Sequence, residues 1–134
     1  MASQAYITAI HEAAHAVVAH QLGLRVTSAD IIKVAGRSGR CVVSEPNTRA
    51  EWQAWGVQAL AGMEAERIIL GIEMPSGGLT DRTRFVQHLG AERIELFHAS
   101  AVVAVVTWRR SILRVAAALL REKQLDGTEL CRLI

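Results

Sequence analysis

Cysteine is scarce in this sequence: Cys41 and Cys131 are the two present, and neither lies in a CxxC. A disulfide framework is therefore not expected, and two ordinary packed thiols in a reducing, cytoplasmic setting are. Long apolar runs are also missing. The longest, Ala101 to Trp108, falls far short of the roughly 20 residues that a membrane span requires. The opening residues, MASQAYITAI, have no positive segment ahead of their apolar ones, so no secretory signal is read there. Charge of one sign is not in excess: 15 basic against 13 acidic residues leave a net charge of +2. That balance gives no electrostatic footprint for a dedicated nucleic-acid binder, despite a pI of 8.8. Low-complexity tracts, internal repeats and linker-like stretches are absent, which argues against disorder.

What remains is a chain of 134 residues, 51% hydrophobic and 21% charged. It is long enough for one domain with a real core, spanning residues 1–134, and too short for a motor ATPase module plus anything else. Residues 4–22 read as a helix. Ile7, His11, Val18 and Leu22 fall on one face of its wheel, and Gly23 stops it. Residues 25–45 are β-rich. Val26, Ile31, Ile32 and Val34 precede Gly36-Arg37-Ser38-Gly39, and Cys41, Val42 and Val43 follow. This pattern predicts a two-stranded β-ribbon around a glycine-containing turn, with strands at Ile31–Ala35 and Arg40–Val43.

Thr48 and Glu51 have capping-box spacing and should open a second helix that Gly71 ends. Pro75 to Gly78 reads as loop. A third helix is expected from Thr80 or Asp81 to Gly90. The helical pattern from Ala91 to Lys123 is too long for one average helix, so a break is expected near His98–Ser100. Thr128 is placed to cap a last helix, Glu129–Leu133. The fold class expected is mainly α: about five or six helices with a two-stranded ribbon.

The first helix carries His11-Glu12-Ala13-Ala14-His15, an HExxH motif. Spacing of i, i+4 sets both imidazoles on one face, where they can reach one metal ion. Glu12, about 60° from His15, can address a metal-associated water without ligating the metal. A chain of this composition contains such a motif by chance in about one case in 70. The histidines lie within the apolar stripe, where two unpartnered imidazoles are costly and a shared metal is the economical partner. The plainer alternative is a pair of hydrogen-bonded core histidines. His20 lies 180° from His11 and reads as a surface residue.

A two-histidine site needs a third protein ligand. The extended motif HExxHxxGxxH is absent, because residues 16–21 read AVVAHQ. Glu64, Glu66, Asp81, His88 and His98 are the open candidates. Glu66 lies within about 40° of Trp55, Ala59 and Leu70 on the second helix, facing the core, where a carboxylate needs a partner. Either a zinc histidine's free ring N–H or an arginine would serve.

HEAAHAVVAH at 11–20, LAGMEAERIILG at 60–71, a glycine-containing turn ending in Asp81, and ILRVAAALLREKQLDGTEL at 112–130 occur in that order. Together they resemble the peptidase domain of FtsH-type proteases, which are membrane-anchored, ATP-dependent zinc metallopeptidases. The resemblance spans roughly residues 5–130. It implies an FtsH peptidase-domain-like helical array and a zinc ligand at the aspartate of Gly77-Gly78-Leu79-Thr80-Asp81. It also matches Glu66 to an acidic position of that family, and its ring assemblies make a homo-oligomer an expectation. The family usually has glycine where Ala14 stands.

The sequence thus predicts a stand-alone zinc metallopeptidase-like domain. His11, His15 and Asp81 would bind Zn2+, Glu12 would be the general base, and Glu66 would brace a ligand. Substrates would be peptides or unfolded protein, bound in part along the ribbon by strand addition, with a separate ATPase partner needed for unfolding. His88, about 10 Å along the helix from Asp81, reads as a pocket-wall or packing residue, and His98 has no assigned place. The competing expectation is a catalytically idle zinc-binding or protein-interaction domain with a regulatory role. For that, Trp52, Trp55 and Trp108 would form an association surface, although core positions suit them better. Arg25, Lys33, Arg37 and Arg40 make the ribbon basic without an aromatic platform. That reads as a solvated tip, or a weak preference for acidic peptides.

Overall fold

The computed structural model describes residues 2–75 and 78–134. Among them are six α-helices and three short strands: α1 (Gln4–Gln21), β1 (Val26–Asp30), β2 (Arg40–Val43), α2 (Arg49–Leu70), α3 (Gly78–Leu89), α4 (Ile94–Thr107), α5 (Arg109–Glu122), β3 (Gln124–Asp126) and α6 (Gly127–Leu133). The mainly α expectation holds. Ser76 and Gly77, in the expected Pro75–Gly78 loop, lie outside the described residues, and Gly78 already belongs to α3.

Helix α1 occupies the centre. Every residue from Thr8 to Ala19 is buried, so its surroundings are wider than the single apolar stripe that the wheel suggested. Alanines at 9, 13, 14, 16 and 19 are fully enclosed. Small side chains let neighbouring helices approach closely. Helix α2 packs along one side and α5 along another, while β1 and β2 close a third. The α2 face is equally small, with Ala54, Ala59, Ala61, Gly62 and Ala65 buried. Thr48 and Glu51 form the expected capping box, and Gly71 ends α2 in a left-handed conformation at φ 69°.

The ribbon is part of a three-stranded antiparallel sheet in the order β2-β1-β3. Its first strand ends at Asp30, so the expected strand Ile31–Ala35 is not formed. Asp30 Oδ1 accepts a hydrogen bond from the Ile32 N–H at 3.0 Å, a side-chain turn that takes the chain out of the ladder. Beyond it only an isolated Val34–Arg37 bridge remains. The unanticipated β3 pairs Ala29 with Leu125 and Asp30 with Gln124.

Two helix boundaries also differ from the sequence expectation. The break falls at Trp108, not at His98–Ser100: Trp108 has φ −106° and ψ 22°, and Thr107 Oγ1 donates back to the Val103 carbonyl at 2.7 Å. Such back-bonding bends helices, and here it separates α4, packed on α2, from α5, packed on α1. The last helix is capped by Asp126, not Thr128. Asp126 Oδ1 accepts from the Glu129 N–H at 2.8 Å, and Glu129 returns the bond. Trp55 is buried and Trp52 and Trp108 are half-buried. No helix among the described residues is long and apolar enough to cross a membrane.

Candidate metal centre

Helices α1 and α2 and the first turn of α3 bring four sequence-predicted residues together. His11 Nε2 and His15 Nε2 are 3.0 Å apart, and Asp81 Oδ2 lies 2.9 Å from the first and 3.1 Å from the second. The rings meet edge-on, with centroids 4.7 Å apart and planes at 74°. Both histidines are buried.

The outer nitrogens fix the chemistry of the inner ones. His15 Nδ1 lies 2.7 Å from the Gln58 carbonyl oxygen. A carbonyl only accepts, so Nδ1 carries the hydrogen, and Nε2 of the neutral ring is a lone pair. His11 Nδ1 lies 2.7 Å from Glu66 Oε2 and donates to that carboxylate in the same way. Two ring lone pairs and a carboxylate oxygen therefore converge. Three acceptors at such separations require a cation among them, either protons or a metal ion.

The titration behaviour follows from that convergence. Burial pulls the His11 pKa down, but hydrogen bonds to Asp81 and Glu66 outweigh it and push the value up to about 10. For His15, burial again acts downward, and attraction to Asp81 carries the pKa above the ordinary value. Burial pushes the Asp81 carboxyl up, yet the two imidazoles win and hold it well below the usual carboxylate range.

Zinc fits this donor set. Three ligands on a tetrahedral ion at about 2.0–2.1 Å stand about 3.3–3.4 Å from one another, within a few tenths of an ångström of the observed spacing. Gly62 on α2 leaves the room. A Cβ there would lie 2.6 Å from both Nε2 atoms, so no residue other than glycine fits against these rings. A glycine in a helix interior costs about 1 kcal/mol relative to alanine, and for Gly62 its position against the histidines is the packing reason.

Glu12 stands beside the centre, not in it. Its Oε1 is 4.0 Å from His11 Nε2. Its carboxyl is raised by burial, against the pull of His15 and His11. Together His11, Glu12 and His15 form a buried group of metal-ligating type. The other candidates are engaged elsewhere. Glu64 is held by Arg67 at 2.9 Å and by His98 Nε2 at 2.8 Å, which gives His98 its place and turns Glu64 away. The His88 ring lies 5.3 Å from Trp52 and 5.1 Å from Trp55, a packing role. His20, half-buried, is 3.9 Å from Cys131 Sγ. Helix α3 owes its placement to Phe85, fully buried one turn after Asp81 and edge-on to Phe97 at 5.3 Å.

A cavity of about 540 Å³ opens over the centre. Cys41 on β2 contributes to its wall, and its thiol is pushed up by burial and by the Glu12, Asp81 and Asp30 carboxylates, which leaves it a poor nucleophile. Sequence reasoning missed three contributors: the Gln58 carbonyl, Gly62, and Arg84 of the cavity wall, whereas Arg37 and Arg40 belong to the ribbon already read as basic. The glycine alone had a visible signal, as a helix-weakening residue within a helical pattern. The sequence matches no family model and no curated protein.

Proposed function

We propose that this chain is a zinc-dependent metallopeptidase, FtsH peptidase-domain-like, that hydrolyses peptide bonds in unfolded or flexible polypeptides. The observation that carries the reading is the convergence of His11 Nε2, His15 Nε2 and Asp81 Oδ2 within 3.1 Å, beside a buried Glu12 and under an open cavity. Zinc held by these three residues would supply a Lewis acid that polarises the scissile carbonyl and acidifies a water.

The protein's own groups do the rest. The Glu12 carboxylate takes the proton of the attacking water, and burial favours its protonated form. It then delivers that proton to the departing amine nitrogen. Glu66 and the Gln58 carbonyl hold the two rings by their Nδ1–H groups and keep Nε2 directed inward. Strand β2 is an edge of the sheet, and Arg40, Cys41 and Val43 line the cavity. An extended segment can add to that edge by main-chain hydrogen bonds.

An idle structural zinc site would close its fourth position with a protein ligand. Among the described residues neither His88 nor His98 reaches the centre, because the first stacks on tryptophans and the second binds Glu64. This favours the catalytic reading. Free Cys41 and Cys131 suit a reducing, cytoplasmic location. A separate ATPase would supply unfolding for folded substrates. The test is elemental analysis after dialysis against trace zinc, with a cleavage assay on an unfolded polypeptide. About one zinc per chain and chelator-sensitive cleavage are expected, and a zinc-free, inert protein refutes the reading.

A further inference from the structure

The cavity over the centre carries more positive charge than its chemistry uses. Arg37 in the β1–β2 connection, Arg40 at the start of β2 and Arg84 on α3 all line it with Glu12 and Asp81. Three separate segments thus supply a cation to one cavity. Two of the carboxylates nearby are committed, Asp81 to both imidazoles and Glu66 to His11 Nδ1, while Glu12 stands beside His11 at 4.0 Å. Among the described residues, Arg40 and Arg84 have no ion pair, and Arg37 has a single long one, Nη1 to Asp30 Oδ1 at 3.8 Å.

That distance is too great for a hydrogen bond, and the same Asp30 oxygen already accepts the Ile32 N–H. Arg37 Nη1 is nevertheless buried and has no hydrogen-bond partner among the described residues. A buried guanidinium N–H without an acceptor is unfavourable, and a carboxylate is the acceptor that its forked geometry suits best.

We infer that the cavity selects peptides bearing a carboxylate close to the scissile bond, with Arg37 as the anchoring residue and Arg40 and Arg84 adding to the field. This rests on the peptidase reading of the same cavity. The carboxylate has two possible sources, an Asp or Glu side chain or the free end of the peptide, and both present the same planar pair of oxygens.

The test uses binding, so that it does not depend on turnover. Zinc-loaded Glu12→Gln protein is titrated into three fluorescent peptides of one sequence: Glu at the variable position with an amidated end, Gln with an amidated end, and Gln with a free carboxyl end. Fluorescence anisotropy should show a carboxylate peptide binding about tenfold more tightly than the neutral one. The tighter of the two names the source. In Arg37→Gln protein, checked for helical content by circular dichroism, the peptides should bind alike, and Arg84→Gln should narrow the difference in part. Equal binding of all three peptides overturns the inference, as does no binding, or a preference unchanged in both arginine variants. A wild-type protein that keeps the preference but cleaves nothing refutes the peptidase reading alone.

Discussion

Glu66 on α2 reaches across to α1 and holds His11: its Oε2 lies 2.7 Å from His11 Nδ1, with the carboxylate 2% exposed. A charged acceptor on the outer nitrogen raises the donor strength of the inner one and fixes the ring. Glu66→Gln keeps an acceptor oxygen and loses the charge. Zinc affinity should fall about 10- to 100-fold, measured by competition with a chromogenic chelator. An unchanged affinity would separate Glu66 from the metal site.

Gly62→Ala sets helix propensity against site geometry. Alanine favours the helix by about 1 kcal/mol, but its methyl would stand 2.6 Å from both Nε2 atoms. The rings have no slack, since their Nδ1 atoms are tied to Glu66 and Gln58. The variant should remain helical by circular dichroism and hold well below one zinc per chain. Full zinc occupancy would show that the rings can move aside.

Much of the fold was legible because its signals are local. Thr48, Glu51 and Gly71 mark α2 by capping chemistry, and HEAAH marks the face of α1 that meets it. What failed to show was non-local. Gln124–Asp126 is too short for any periodicity, and it is a strand only because β1 lies alongside. The break at Trp108 parts helices that pack on different partners, α4 on α2 and α5 on α1. In the site, the wheel placed Glu66 toward the core but left its partner open between a histidine and an arginine. Asp81 came from a resemblance, not from spacing. The Gln58 carbonyl is backbone and leaves no mark in a sequence.

The last capping box is a separate stability test. Asp126 caps α6 and also ends β3, paired with Ser28. Asp126→Ala removes the acceptor of the Glu129 N–H and should cost about 0.5–2 kcal/mol. Thermal denaturation should register a Tm lower by several degrees, with Thr128→Ala nearly silent. A larger effect at Thr128 would restore the cap to that residue.

Metal uptake should release protons. In the metal-free protein the His11 pKa stands at about 10, so at pH 7 this ring is protonated and zinc must displace the proton. Zinc affinity should therefore rise with pH up to about 10. Calorimetric titration in buffers of different ionisation enthalpy should count at least one proton per zinc at pH 7. The linkage for folding has the opposite sign. The folded pKa is raised above the unfolded value near 6.5, so between those values the folded metal-free chain binds more protons than the unfolded one. This contribution is full below pH 6.5 and is lost as pH rises through about 10. Proton-neutral zinc binding at pH 7 would refute the raised pKa.

Glu12→Gln separates metal holding from chemistry. Glu12 is not one of the three converging donors, with its Oε1 4.0 Å from His11 Nε2, so zinc content should stay near that of the parent protein. Glutamine matches the volume of the buried side chain but cannot accept a proton from water. Peptide hydrolysis should fall by about 10²–10⁴, with kcat carrying the loss and peptide binding retained. Because zinc content is read on the same sample, a collapsed site is distinguished from a missing base. Zinc retained with activity lost places the proton transfer at the Glu12 carboxylate. Zinc retained with activity intact moves the base to another group of the cavity and ends the mechanism proposed for this one.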